Sequence, residues 1–565
     1  MIEHFLYLAL HTVLKRSWNE LILATHEPVR MQSSRLLDII SRNEETIFGR
    51  EHEFSDIRSV EDFRERVPVR TYDEFEPYIR RMRLGETSVL TAETPNMFGR
   101  TSGTTGEPKF IPITPSFYEE FSKMQKMWQR RMLAEHREML RGKILSVMSP
   151  EIDGYTECGI PHGAMSGHSY RLQYPITQML YAVPYEAMCV TDFEAKYYLI
   201  LRLALEQNVT AIAAMNPSTI LLLMKKLNAY APDLVRDIAD GTISRNFDIA
   251  LHLRQQLQGR LHPNKKRARE IENLAGCGGS IRGTDAWKNL SLIITWQGGS
   301  VGFFLREFPA YFPGVPLRDM GLIATEGYFS IPLRSGTPNG LLAITGHFFE
   351  FFEVESDGGR GNTPLGCDEL KTGEEYYIVV TTSGGLYRYD ICDIIEVVDS
   401  YNKTPVIAFK QKGGNTISIT GEKVTEVQVT EAMRAAASSL AITVEGFMVT
   451  LRLQDPPSYV LAVETVERNN RLLTELLARF ENELRLRNVE YVTKRDSQRL
   501  GEPVLCVLAP GFFEESRKKR VRQGAPDGQY KTAHLIPDAS CLDGIRLTAE
   551  ITMPVETGCN EEAQA

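Results

Sequence analysis

Apolar positions recur at helical spacing through roughly the first hundred residues, interrupted by charged turns, which predicts a run of amphipathic helices. The stretch Phe5 to Leu14 follows Glu3 and lacks a small-residue cleavage site, so it reads as another such helix rather than a secretory signal. A long helical pattern rich in Met, Phe, Trp and charge covers about 116 to 145. Val209 to Met215 is a buried-strand candidate that meets Asn216-Pro217-Ser218. Beyond it Ile220, Leu221, Leu223, Met224 and Leu227 recur as on a helix. Ser291 to Thr295 is a second buried-strand candidate, closed by Gly298-Gly299, and Val315 to Ala324 is extended and partly apolar. Strands alternating with helices through Asp399 predict an α/β body with a sheet covered on both faces.

The pattern changes near residue 410. Lys410-Gln-Lys-Gly-Gly-Asn415 is polar and glycine-rich, as a hinge is. Beyond it come a helix at Val424 to Ser439 and strands at Ile442 to Leu453 and Tyr459 to Val463. A helix follows with Leu472, Leu473, Leu476, Leu477, Phe480 and Leu484 on one face. A strand at Val504 to Leu508 and a basic helix from Phe512 complete a compact α+β unit. The expected organisation is a large α/β domain over 1–410, a hinge over 411–414, a small mobile α+β domain over 415–553 and a flexible acidic tail over 554–565. No internal repeat is visible.

Composition narrows the class. A chain of 565 residues exceeds one ordinary core, and 42% apolar with 24% charged residues excludes wholesale disorder. The formal charge of −9 argues against a nucleic-acid partner, and the basic run Arg517 to Arg522 reads as one solvated helix face. No apolar run approaches the roughly eighteen residues of a membrane-spanning helix, so no membrane partner is expected. Eight dispersed cysteines form no C-x-x-C pair, which excludes a zinc ribbon and favours reduced thiols in a cytoplasmic enzyme. Oligomeric state is open, and a monomer is compatible with all of this.

The densest local signal is Thr101-Ser102-Gly103-Thr104-Thr105-Gly106-Glu107-Pro108-Lys109. Its glycines admit a ligand close to the backbone, its hydroxyls and amides donate to phosphate oxygens, and Lys109 adds charge. It is not a Walker A loop. The second glycine comes too early, Pro108 precedes the lysine, and Phe110-Ile-Pro-Ile113 reads as a strand where that loop opens a helix. The bland alternative is a surface turn, just as a lone Glu326 is ordinarily solvated and Lys531 ordinarily a surface lysine. His162 and His168, in the glycine-rich stretch Gly154 to Gly167, are too loosely spaced for a metal pair. No Ser-His-Asp order supports a hydrolase triad.

Thr-Ser-Gly-Thr-Thr-Gly-x-Pro-Lys resembles the phosphate loop of the adenylate-forming superfamily of acyl-CoA synthetases, luciferases and peptide-synthetase adenylation domains. More closely, the chain resembles the auxin-responsive promoter (Gretchen Hagen) family of acyl-acid amido synthetases. Leu322 to Ile331 is similar to that family's Tyr-Ala-Ser-Ser-Glu-Cys-Tyr-Phe-Gly-Ile, and Leu386 to Ile394 to its Leu-Tyr-Arg-Tyr-Arg-Val-Gly-Asp-Val. Gln529 to Thr532 repeats its Gln-Tyr-Lys-Thr. The four motifs keep their order from 101 to 532.

The resemblance implies a large α/β domain of adenylate-forming type with a smaller C-terminal domain, ATP and Mg²⁺ as cofactors, and catalysis by Lys531 and Glu326. Thr101, Ser102, Gly103, Thr104, Thr105, Gly106 and Lys109 would hold the phosphates, Glu326 beside Thr325 the Mg²⁺, and Asp393 the ribose. Lys531 would stabilise charge building at the α-phosphate, an effect of about 3–4 kcal/mol for a single donor. Gly298-Gly299 resembles the adenine site and reads equally as a tight turn. Three positions depart from the family: Leu322 replaces the adenine-stacking tyrosine, Cys392 a glycine and Asp390 an arginine.

The implied reaction has two halves. A carboxylic acid and ATP give acyl-adenylate and pyrophosphate, then an amine, expected to be an amino acid, displaces AMP and forms an amide. Lys531 sits in the small domain, so that domain would close for the first half and swing about the hinge for the second. The alternatives are an acyl-CoA synthetase sharing the first half and a nucleotide-binding sensor that has lost catalysis.

Overall fold

The computed structural model describes residues 7, 12, 14–102, 108–173, 175–276, 280–355, 359–413, 416–417, 422, 424–454, 456–496, 500–522, 532–536 and 539–553. The chain divides into two compact units. One comprises Met1–Val354, Arg360–Lys410 and Arg520–Tyr530; the other comprises Glu355–Gly359, Gln411–Lys519 and Lys531–Ala565.

The first unit opens with helices Lys15–Ala24, Pro28–Ser41, Ile47–Glu51, Val60–Arg66 and Tyr72–Arg83. Local chemistry sets their starts: Ser59 with Asp62 and Thr71 with Glu74 each close a capping box. Their buried faces, including Leu36, Phe48, Phe63, Phe75 and Ile79, join one large core with the inner sheet residues. Phe5 to Leu14 lies mostly outside the described residues.

Three sheets of four or more strands follow among the described residues. Lys143–Ser146, Val209–Ala213, Leu292–Ile294 and Leu317–Arg318 form a parallel sheet in that order, with helical crossovers. Pro108–Ile113, Met97–Ser102, Pro161–Gly163 and Gly154–Tyr155 form a second sheet. The third is antiparallel, in the order Ser330–Pro332, Gly340–Leu342, Thr404–Lys412, Tyr389–Tyr401, Glu375–Thr381 and Phe348–Glu353.

This third sheet corrects the expectation that strands and helices alternate through Asp399. Its connections are turns such as Asn402-Lys403, too short for the crossover a parallel pair requires. The helix expected over about 116–145 runs only from Pro115 to Glu135. His136 leaves helical geometry, and Gly142 lies so close to the Asn208 carbonyl that no side chain fits before the strand Lys143–Ser146. The extended stretch ending at Ala324 is two short strands, Leu317–Arg318 and Ile323–Ala324. Of the expected hinge, residues 411 and 412 complete the strand Thr404–Lys412, and Gly414 lies outside the described residues.

The second unit is α+β. Val444–Arg452, Ser458–Thr465, Val504–Leu508 and Leu547–Thr552 form its sheet, and Glu426–Leu440 packs along Asn470–Arg487. Asn469 caps the latter helix, whose Leu473, Leu476, Leu477, Phe480 and Leu484 are buried. Arg517, in the basic helix Phe512–Arg522, is buried too, so that run is not one uniformly solvated face.

Candidate active site

Met97–Ser102 and Pro108–Ile113 pair antiparallel, with Thr101 opposite Lys109. Gly103, Thr104, Thr105, Gly106 and Glu107 connect them and lie outside the described residues. Lys109 Nζ stands 5.1 Å from the centre of the Tyr72 ring. Tyr72 Oη accepts the Phe110 backbone N–H at 2.7 Å, fixing that ring beneath the hairpin.

Thr325 and Glu326 are the two residues joining the strands Ile323–Ala324 and Gly327–Tyr328, which pair Ala324 with Gly327. The Thr325 methyl rests on Gly99, where any Cβ would collide with it, so this turn sits against the strand that leads to Thr101. Thr325 is buried and Glu326 half-buried. Burial pushes the Tyr72 phenol up to about 12, with Glu76 and Glu326 adding to the effect. Burial likewise holds the Tyr389 phenol well above its ordinary range, and the charges of Glu326 and Asp393 push the same way. Glu326, Asp393, Tyr72 and Tyr389 therefore share one electrostatic neighbourhood.

Two groups that sequence reasoning missed hold this turn. His347 Nε2 accepts the Tyr328 N–H at 3.3 Å, and a Cβ on Gly327 would meet the same nitrogen. The His347 ring is fully buried among Phe117, Phe329 and Phe349, and burial lowers its pKa to about 3. It is a neutral acceptor. Asp319 accepts the Gly321 N–H through Oδ1 and the Gln297 N–H through Oδ2, both at 2.6 Å. Burial pushes its pKa up to about 6 against those two bonds. One carboxylate thus ties the turn before Leu322 to the segment entering Gly298-Gly299. The signal for Asp319 was a carboxylate inside an apolar run ending in Met320-Gly321; His347, distant in sequence from Tyr328, gave none.

Asp393 and Asp390 flank a bulge. Asp393 pairs with Ile378 and Asp390 with Val379, so Ile391 and Cys392 are extra on their strand. Cys392 takes a left-handed φ of 55°, a conformation that favours glycine. Asp390 accepts the Cys392 N–H at 2.8 Å and pairs with Arg360 at 2.9 Å. Arg388 pairs with the buried Glu350, and Tyr387 Oη donates to the Leu90 carbonyl, so both brace the core.

Of the residues singled out from sequence, Thr101, Lys109, Thr325, Glu326 and Asp393 are thereby placed around Tyr72, Tyr389 and Gly99. Gly298 lies against Pro338, and Gly299, with φ of 62°, against the Phe409 ring. The side chain of Ser102 and the whole of Lys531 lie outside the described residues. His162 and His168 are held apart, each by its own carboxylate: His162 by Asp153 at 2.6 Å, His168 by Glu151 at 2.9 Å.

Residues 18–317 match the description GH3 family N-terminal domain, 340–412 the GH3 family central domain and 427–540 the GH3 family C-terminal domain. A jasmonoyl–L-amino acid synthetase of Nicotiana attenuata is 26% identical over 543 residues, covering 92% of each chain. An indole-3-acetic acid-amido synthetase of Arabidopsis thaliana is 26% identical over 566 residues, covering 94% of this chain and 93% of its own. A solved acyl acid amido synthetase superposes with a TM-score of 0.84 at 23% identity, over 94% of this chain and 95% of the other, which shows the fold.

Proposed function

Because the chain belongs to the GH3 family, we propose that it activates a carboxylic acid as its acyl-adenylate and passes the acyl group to an amine. It is an ATP-dependent acyl-acid amido synthetase, a ligase forming carbon–nitrogen bonds. A carboxylate is a poor electrophile because its charge repels nucleophiles and oxide leaves badly. The mixed anhydride with AMP removes both obstacles, and an amine then displaces AMP.

The observation that carries the assignment of roles is the Thr325–Glu326 turn seated on Gly99, beside the hairpin of Thr101 and Lys109. In this reading residues 101–106 and Lys109 hold the triphosphate and Asp393 accepts the ribose hydroxyls. Glu326 makes no hydrogen bond or ion pair among the described residues, which suits a carboxylate that would hold Mg²⁺ together with substrate phosphates. Bound there, Mg²⁺ supplies neutralisation of the phosphate charge. Lys531 stabilises the negative charge that builds as the carboxylate attacks the α-phosphate. Gly298-Gly299 offers a backbone surface for adenine, with Leu322 in place of a stacking ring. The acceptor is an amino acid, as in the names of the plant relatives. ATP use and free thiols such as Cys158 and Cys367 suit a cytoplasmic setting.

Product analysis tests the reading. Incubated with ATP, Mg²⁺, a pool of carboxylic acids and either amino acids or coenzyme A, the protein is expected to release AMP and an N-acyl amino acid, detected by mass spectrometry. A thioester in place of the amide would make it an acyl-CoA synthetase. Absence of AMP with every acid would make it a nucleotide-binding sensor.

A further inference from the structure

Aminolysis of an acyl-adenylate needs a base, because the attacking nitrogen becomes cationic as its bond to carbon forms. In the reading above the hydroxyl loop, Lys109 and Lys531 are given to phosphate, Glu326 to a cation and Asp393 to ribose, and none of them is assigned as that base.

The helix Met165–Arg171 carries His168, which is buried. Its Nδ1 stands 2.9 Å from Glu151 Oε1. An ionised carboxylate only accepts, so Nδ1 carries a proton, and it is the neutral form of the ring that leaves a lone pair on Nε2. That Nε2 is shut away from solvent and has no hydrogen-bond partner among the described residues. A buried polar atom left so costs free energy unless something meets it. Glu151 is itself fixed: its N–H donates to Tyr185 Oη at 2.6 Å and its Oε2 faces Arg171 Nε at 3.4 Å. Gly163 and Gly167 let both flanking segments close on the Ser149–Glu151 backbone, where any Cβ would collide.

Two connections bring this pair to the site already described. Gly163 pairs with Gly99, the residue on which Thr325 rests. The Tyr118 ring lies edge-on to His168 with centres 4.8 Å apart, and Phe121, on the same face of its helix, lies 5.6 Å from Tyr328 of the Glu326 hairpin. His168 is thus linked to the hairpin that carries Glu326 through two ring contacts one helical turn apart on the helix Pro115–Glu135.

We propose that His168 is the general base of the amine-transfer half-reaction, with Glu151 as the positioning residue that sets its tautomer. The inference rests on the amido-synthetase reading. The amine arrives as free base. Its lone pair forms the carbon–nitrogen bond, and the nitrogen, now cationic, gives a proton to His168 Nε2. The bond from acyl carbon to AMP oxygen breaks, its electron pair leaves with AMP, and His168 gives the proton up to water that enters once the products have left.

The test uses the full chain with the acid found in the product analysis. Exchange of pyrophosphate into ATP reads the first half-reaction; single-turnover decay of preformed acyl-adenylate with a pool of amino acids reads the second. His168→Gln is expected to slow amino-acid transfer about 100-fold or more, to leave exchange within about threefold, and to retain transfer to hydroxylamine, a weakly basic nucleophile. Glu151→Gln should slow the same step alone, by about tenfold, and stands in should His168→Gln fail to fold. Equal loss in both half-reactions, or amino-acid transfer unchanged in both variants, would overturn the proposal. Absence of exchange in the unmutated protein would overturn the functional reading beneath it.

Discussion

Between Asp390 and Asp393 the strand takes in two extra residues, so the two carboxylates meet different surroundings. Asp390 spends its oxygens on Arg360 and the Cys392 N–H, while Asp393 lies buried with Glu326 near Tyr389. Asp393→Asn is therefore expected to raise the KM for ATP about tenfold or more, and Asp390→Asn less than about threefold; the reverse order in steady-state kinetics would exchange their roles. Cys392, at a φ of 55°, occupies backbone that suits glycine. Cys392→Gly should raise unfolding stability by about 1 kcal/mol in chemical denaturation, and a lower stability would contradict that account. Asp393 was legible from its motif. The pairing of Asp390 with Arg360, thirty residues earlier, was not, because nothing local announces a cross-sheet ion pair.

The turn bearing Glu326 is only as well placed as the groups that hold its hairpin, and these come from elsewhere in the chain. The motif Leu322 to Ile331 holds the carboxylate, yet neither strand of the short pair stands out in its pattern of apolar residues. Two-residue strands carry too few positions to show a period. His347 supplies the acceptor for Tyr328 and must stay neutral to do so. Its folded pKa, about 3, lies below the unfolded value near 6.5, so acid favours the unfolded chain. The neutral ring's contribution is complete above the unfolded value and is lost as pH falls toward 3, of the order of 5 kcal/mol across the window. Urea denaturation at pH 7 and pH 4.5 should show the unmutated protein losing more stability on acidification than His347→Gln. Equal losses would mean that His347 is not the buried neutral acceptor the geometry describes.

Across the whole molecule, the chain divides between Lys410 and Gln411, inside the strand Thr404–Lys412. The antiparallel character of Ser330 to Lys412 was hidden, because both faces of those strands are buried and the apolar runs look like parallel ones. Function was legible through four short motifs, whereas Asp319, His347 and the Glu151–His168 pair appear only when distant segments meet. The two half-reactions ask different things of Lys531: Lys531→Ala should abolish most pyrophosphate exchange while sparing aminolysis of supplied acyl-adenylate, and equal losses would remove its assigned role. The central claim is that ATP is cleaved between its α- and β-phosphates by an attacking carboxylate. Labelled pyrophosphate, offered with ATP, Mg²⁺ and carboxylic acid but no amine, should enter ATP only when the acid is present, and Glu326→Gln should suppress that exchange at least tenfold. Exchange independent of acid, or none with any acid while the protein still binds ATP, would contradict it.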